Sequence, residues 1–169
     1  MGELDPLRGS PIVARRSAPD PLGDHEMTEV FEPLGEDRWY SATLRLFGDS
    51  LDLEDAREQL PSASVQLSRK GDHIQNNPRF AKNRTNICLV SFGKSSAEPW
   101  EPRLLRLLET AEPLSGWLAH LRNLGVTTEV FLGYSSETGQ GGGGISAETL
   151  SRIAALGLSL DLDLYPPET

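Results

Sequence analysis

The hydrophobic period along this chain switches repeatedly between two and three-to-four, and that switching confines it to a mixed α and β domain. A period of two puts alternate residues on one covered face of a strand, whereas spacings of three and four make one stripe of a helix. Tyr40, Ala42, Leu44 and Leu46 alternate with Ser41, Thr43, Arg45 and Phe47, so a first strand is expected from Trp39. Gly48-Asp-Ser50 breaks it, and Asp49 or Ser50 supplies a helix cap. Leu53, Ala56 and Leu60 then space as a short helix that Pro61 ends. Val65 and Leu67 mark a second strand that closes at Arg69-Lys-Gly-Asp72. Residues 73–85, with Asn76, Asn77 and Pro78, read as a loop. Asn86–Phe92 is apolar on both sides, as a central strand is.

The second half continues the pattern. Residues 94–102, with Pro99 and Pro102, read as another loop. Leu104, Leu105, Leu107 and Leu108 begin a helical stretch. Pro113 suits the first turn of a second helix carrying Leu114, Trp117, Leu118, Leu121 and Leu124, which Gly125 stops. Thr127–Tyr134 is the fourth strand, and Ser146 caps a last helix with Leu150, Ile153, Ala154 and Leu156 inward. Leu158, Leu160, Leu162 and Leu164 alternate strictly with Ser159, Asp161, Asp163 and Tyr165, which predicts a half-buried strand with one wet face. The expectation is an α+β fold: a ferredoxin-like βαββαβ sheet extended by a C-terminal αβ unit, with helices packed on one face of a mainly antiparallel sheet.

Residues 38–169 are enough for one domain. Residues 1–37 hold five prolines, nine acids and three bases, so they are expected to form a disordered acidic tail. The remainder holds sixteen acids and thirteen bases, so most of the net charge of −9 lies outside the predicted fold. That charge argues against nucleic acid as a partner, because phosphate contacts need a basic surface. No apolar run approaches the roughly 20 residues of a membrane span, and no secretory leader is legible, so a cytoplasmic setting is expected. A lone Cys88 in an apolar strand reads as a buried thiol.

Several pieces together resemble a known family. They are Tyr40-Ser-Ala-Thr-Leu-Arg-Leu-Phe-Gly48, Leu51-Asp-Leu53, Leu60-Pro-Ser62, Arg69-Lys-Gly-Asp72, His120-Leu121, Gly133, and Leu156-Gly-Leu-Ser-Leu-Asp-Leu-Asp-Leu-Tyr165. Over residues 38–166 the set resembles the bacterial domain-of-unknown-function family four-two-seven-nine. The chain departs from that pattern where relatives place a Trp-containing strand; here the strand reads Ile87 to Phe92 and Trp100 follows. The resemblance implies a bacterial domain of this fold and carries no activity with it.

Candidate chemistry is sparse. Gly139, Gly141 and Gly144 match the spacing of a dinucleotide fingerprint, but five glycines in six residues match almost any glycine pattern. A flexible excursion is the expected role. Arg69, Lys70, Asp72 and His73 open the only basic stretch, which runs on through Arg79, Lys82 and Arg84. Asp161, Asp163 and Tyr165 share the polar face of the last strand, within reach of Arg45 if the strands adjoin. These seven residues, Arg69 to His73 and Asp161 to Tyr165, are the candidate ligand or partner site. No metal-ligand spacing, nucleophile elbow or His pair occurs, so no catalytic residue, metal or cofactor is assigned. The expected function is a non-catalytic binding or protein-interaction module, with another protein or a small anionic ligand as partner. The alternative is an enzyme acting on a small anionic substrate at loop 69–84.

Overall fold

A computed structural model describes residues 38–60, 64–93, 97–136 and 141–165. The expected tail 1–37, Pro61 and Gly139 lie outside them. The domain is α+β. Its strands are β1 (Arg38–Gly48), β2 (Val65–Ser68), β3 (Asn86–Ser91), β4 (Thr127–Ser136) and β5 (Ser159–Tyr165), and its helices are α1 (Leu53–Gln59), α2 (Trp100–Ala111), α3 (Ser115–Asn123) and α4 (Ala147–Ala155). The strands form one mixed sheet in the order β2-β3-β1-β4-β5. Three neighbouring pairs are antiparallel, while β5 runs parallel to β4. The parallel pair follows from its connection, since α4 carries the chain back across the sheet before β5 begins.

The helices cover one face. Tyr40, Ala42, Leu44 and Leu46 of β1 are buried with Val90, Val130 and Leu132 of the flanking strands. Leu53 and Ala56 of α1, Leu104, Leu107 and Leu108 of α2, Leu118 and Leu121 of α3, and Ile153 of α4 pack onto the same cluster. Each fully buried leucine contributes roughly 2 kcal/mol through apolar area removed from water.

Local chemistry sets the boundaries. Asp52, rather than Asp49 or Ser50, caps α1, accepting from the backbone N–H groups of Glu54 and Asp55 at 2.9 and 3.2 Å. The loop expected over 94–102 ends sooner, because α2 starts at Trp100 with Pro102 in its first turn. A proline is tolerated there because the first helical N–H groups have no intrahelical acceptor. A short 3-10 turn over Glu112–Leu114, with Pro113 in it, separates α2 from α3. Arg103 of α2 is 1% exposed. Its Nε donates to the Glu98 carbonyl at 3.1 Å and its Nη1 to the Phe92 carbonyl at 3.3 Å, tying the end of β3 to the start of α2.

Two expectations about apolar residues fail. Leu150 and Ala154 of α4 face solvent, while Thr149 and Ile153 are the helix's buried pair. Leu158 is buried, but Leu160, Leu162 and Leu164 are 43, 50 and 61% exposed, so β5 is not half-buried. They share the helix-covered face with Val130, Leu132 and Tyr134 of β4. β5 is the sheet edge, and the helix layer does not extend over it.

Cys88 is fully buried, and burial pushes its thiol up to about 11. Since the thiolate is the nucleophile, labelling by an aromatic disulfide at pH 8 is expected to be on the order of a hundredfold slower in native protein than in denaturant. Equal rates would contradict this packing.

Candidate functional site

The two groups of sequence-predicted site residues lie at opposite edges of the sheet. Arg69, Lys70, Asp72 and His73 follow β2, whereas Asp161, Asp163 and Tyr165 belong to β5. Four strand spacings separate those edges, roughly 19 Å. They do not make one site.

The basic loop is tied to its own scaffold. Arg69 Nη2 meets Glu54 of α1 at 3.0 Å, and Lys70 Nζ meets Asp49 at 2.7 Å. The Lys70 backbone N–H donates to Asn86 Oδ1 at 3.0 Å, and the Asp72 carbonyl accepts from the Asn83 N–H at 2.8 Å. His73 Nδ1 lies 2.8 Å from the Phe80 carbonyl. A carbonyl only accepts, so Nδ1 carries the proton. The ion pairs are well exposed, where each is worth at most about 1 kcal/mol. Their effect is to neutralise Arg69 and Lys70 locally.

The other group opens onto a larger feature: the face of the sheet that no described helix covers. In β1 the residues between the core positions, Trp39, Ser41, Thr43, Arg45 and Phe47, point to this side. Register carries rows across it. Leu89 of β3, Arg45 of β1 and Glu129 of β4 stand side by side, as do Ser91, Thr43, Phe131 and Asp161. Between β3 and β4 lies an open concavity of about 400 Å³ whose apolar walls are Phe47, Ile87, Leu89 and Phe131. Thr43, Thr85, Ser91 and Arg45 supply its polar groups.

Arg45 crosses the middle of this face. Its guanidinium lies 4.5 Å from the Phe131 ring centroid and 5.7 Å from that of Phe47, within cation–π range. Nη2 comes within 2.9 Å of Glu129 Oε1, at an angle too oblique for a hydrogen bond, so the carboxylate is neutralised without an aligned donor. Nη1 reaches over β4 to within 3.9 Å of Asp161. The expected Arg45–Asp161 pairing is therefore present across an intervening strand.

Beyond Asp161 the polar row ends in aromatics. The Trp39 and Tyr165 rings pack with centroids 5.0 Å apart. The neighbouring Asp163 carboxylate, with burial added, holds the Tyr165 phenol above its ordinary value. Gly133 of β4 makes room for this: a Cβ there would stand 2.5 Å from Ser41 Oγ and 3.0 Å from the Trp39 ring. Ser41 Oγ accepts from the Gly133 N–H at 3.1 Å.

The glycine tract serves packing on the opposite, helix-covered face. Tyr40, Trp100 and Tyr134 form an aromatic cluster with centroids 5.0 to 6.0 Å apart. The tract passes over it, with the Gly142 carbonyl accepting from the Tyr40 hydroxyl at 3.0 Å. Gly141 takes a φ of +128°, and a side chain there would run into the Tyr134 hydroxyl. The following helix start is already occupied by a carboxylate. Glu101 accepts from Thr149 Oγ1 at 2.7 Å and from the Ser146 N–H at 3.2 Å, and the Thr149 bond chiefly holds it below the usual carboxylate range. A phosphate approaching α4 would meet that negative charge.

Sequence reasoning missed Phe47, Ile87, Leu89 and Phe131 as a surface. Ile87 and Leu89 looked like the second buried side of a central strand, and nothing in the alternation of β1 tells which face a helix will cover. Among the described residues, no three His, Cys, Asp or Glu side chains gather as a metal site requires, and no helix is long and apolar enough to cross a membrane.

A family model described as Domain of unknown function (DUF4279) matches residues 38–167. No curated protein and no solved structure matches the chain.

Proposed function

The chain belongs to that family of unknown function, and we propose that its domain is a non-catalytic interaction module that binds another protein through the open face of its sheet. The observation that carries this reading is the apolar concavity bounded by Phe47, Ile87, Leu89 and Phe131, on the face that no described helix covers. The core lies on the other side of β1, β3 and β4, so the apolar side chains of the concavity add little to the fold and are available to a partner. Arg45, Glu129 and Asp161 form a polar margin beside it, the arrangement of a buried centre with a charged rim. The strand order β2-β3-β1-β4 supports a ferredoxin-like plan, with α4 and β5 as the added αβ unit. A bacterial, cytoplasmic setting goes with this reading. The basic loop offers an enzyme no comparable site, since Arg69 and Lys70 already face Glu54 and Asp49.

The test compares captured proteins. Immobilised full-length chain and its Leu89→Lys variant are incubated with lysate of the cells that make it. Leu89 is half-buried on the open face, so the variant is expected to keep its circular dichroism spectrum and to capture at least tenfold less of the partner. The reading is overturned if both capture the same proteins in the same amounts.

A further inference from the structure

The two edges of the sheet differ. β2 exposes four residues, too short a template for another strand, whereas β5 runs seven residues, Ser159–Tyr165, with no proline and no break in register. No described residue pairs with its outer side. Folded proteins usually blunt such an edge with short strands, bulges, proline or lysine. β5 has no bulge, proline or lysine, and the charges it carries are the two aspartates Asp161 and Asp163. It carries Leu160, Leu162 and Leu164, half-exposed or more, on one side, and Asp161 and Asp163 on the other.

We propose that the free edge of β5 accepts an extended strand from a protein partner whose residues alternate between apolar and Lys or Arg. Strand addition satisfies the unpaired backbone groups, and alternate side chains set the specificity. The partner's apolar residues would lie beside the three leucines and complete the cover that the helix layer leaves unfinished. Its basic residues would stand beside Asp161 and Asp163. Arg45 fills that role only in part: it reaches Asp161 at 3.9 Å while lying closer to Glu129, at 2.9 Å. Among the described residues no cation reaches Asp163 within ion-pair distance.

The same charges disfavour a second copy of this chain. Antiparallel self-pairing centred on Leu162 sets Asp161 opposite Asp163 of the other copy, twice. Centring on Asp161 or Asp163 sets that residue against itself. Like charges directly opposite destabilise a strand pair. In the registers that overlap most of β5, charge complementarity therefore favours a basic partner strand over a second copy.

This inference rests on the interaction-module reading but uses a different surface from the concavity. The test titrates the full-length chain with three synthetic peptides: valine alternating with lysine, valine alternating with glutamate, and the lysine peptide's composition arranged in blocks. The expected result is that the alternating lysine peptide binds at least tenfold more tightly than either of the others. A D161K/D163K variant, folded by circular dichroism, is expected to invert the preference toward the glutamate peptide. Slowed amide exchange in the complex should localise to residues 159–165. Equal binding of the alternating and blocked lysine peptides would reduce the effect to general attraction by a chain of net charge −9 and overturn the proposal. So would an unchanged preference in the charge-reversed variant, or a concentration-dependent dimer of the wild-type chain. The capture experiment with Leu89→Lys can fail or succeed independently of these titrations.

Discussion

Arg103→Ala is expected to cost about 3–5 kcal/mol of stability, and so to lower the melting temperature by roughly 10–15 °C. Two losses add. The Phe92 and Glu98 carbonyls lose the donors that join β3 to α2, and a cavity opens where a long side chain had been fully enclosed. Arg103→Met separates them: it restores most of the volume and none of the donors, so it should fall between Ala and wild type. Thermal melts of the three proteins make the comparison, and an Ala variant within about 1 kcal/mol of wild type would refute the role. The lock also has a pH signature. Glu98 accepts from Arg106 at 3.0 Å, and chiefly that bond, helped by the charges of Arg106 and Arg103, holds its carboxyl below the ordinary range. A carboxyl lowered in the folded state stabilises above its unfolded pKa, and the contribution is lost as the pH falls through the folded value. The Arg106 bond is present in both wild type and Arg103→Ala, so both should lose its contribution in acid, and only the smaller contribution of the Arg103 charge narrows the gap between them.

Gly133→Val should cost about 2–3 kcal/mol and displace Trp39. The added carbons meet Ser41 Oγ and the Trp39 ring, and rotating Ser41 clears only the first contact. Lifting the indole separates it from Tyr165, so the near-ultraviolet circular dichroism of that pair should diminish. In a Trp39→Ala background the same substitution should cost clearly less, because the obstructing ring is gone. Equal costs in both backgrounds would show that the glycine is not there for the ring.

How much of this was legible in the sequence depends on the range of the information. The periods of β1 and of the Leu158–Leu164 run, and the stop at Pro113 between two helices, are local, and the sheet and helices appear where those signals fall. The sequence points to a mainly antiparallel sheet and to no parallel pair; the parallel pairing of β5 follows from the helix before it. What was not legible rests on long-range packing. Leu160, Leu162 and Leu164 alternate as a covered strand would, but whether anything lies over them depends on where α4 packs, not on β5 itself. Arg45 meets Glu129 only because β1 and β4 adjoin in one register. The glycine tract looked like an open excursion because Tyr40, Trp100 and Tyr134, over which it lies, come from three distant segments. Of the candidate site residues, Asp161, Asp163 and Tyr165 do sit on the open face, while the Arg69–His73 group belongs to the far edge.

The central place of β1 has a consequence for how the chain is made. Leu44 sits between Val90 and Val130, so β1 is flanked by two strands that emerge much later than it does. At about 5–20 residues per second, its second neighbour follows roughly 4–17 s behind it. For that interval a run of apolar, strand-forming residues leaves the ribosome without its lateral partners, and the cell's chaperones have their longest opportunity to meet this protein there.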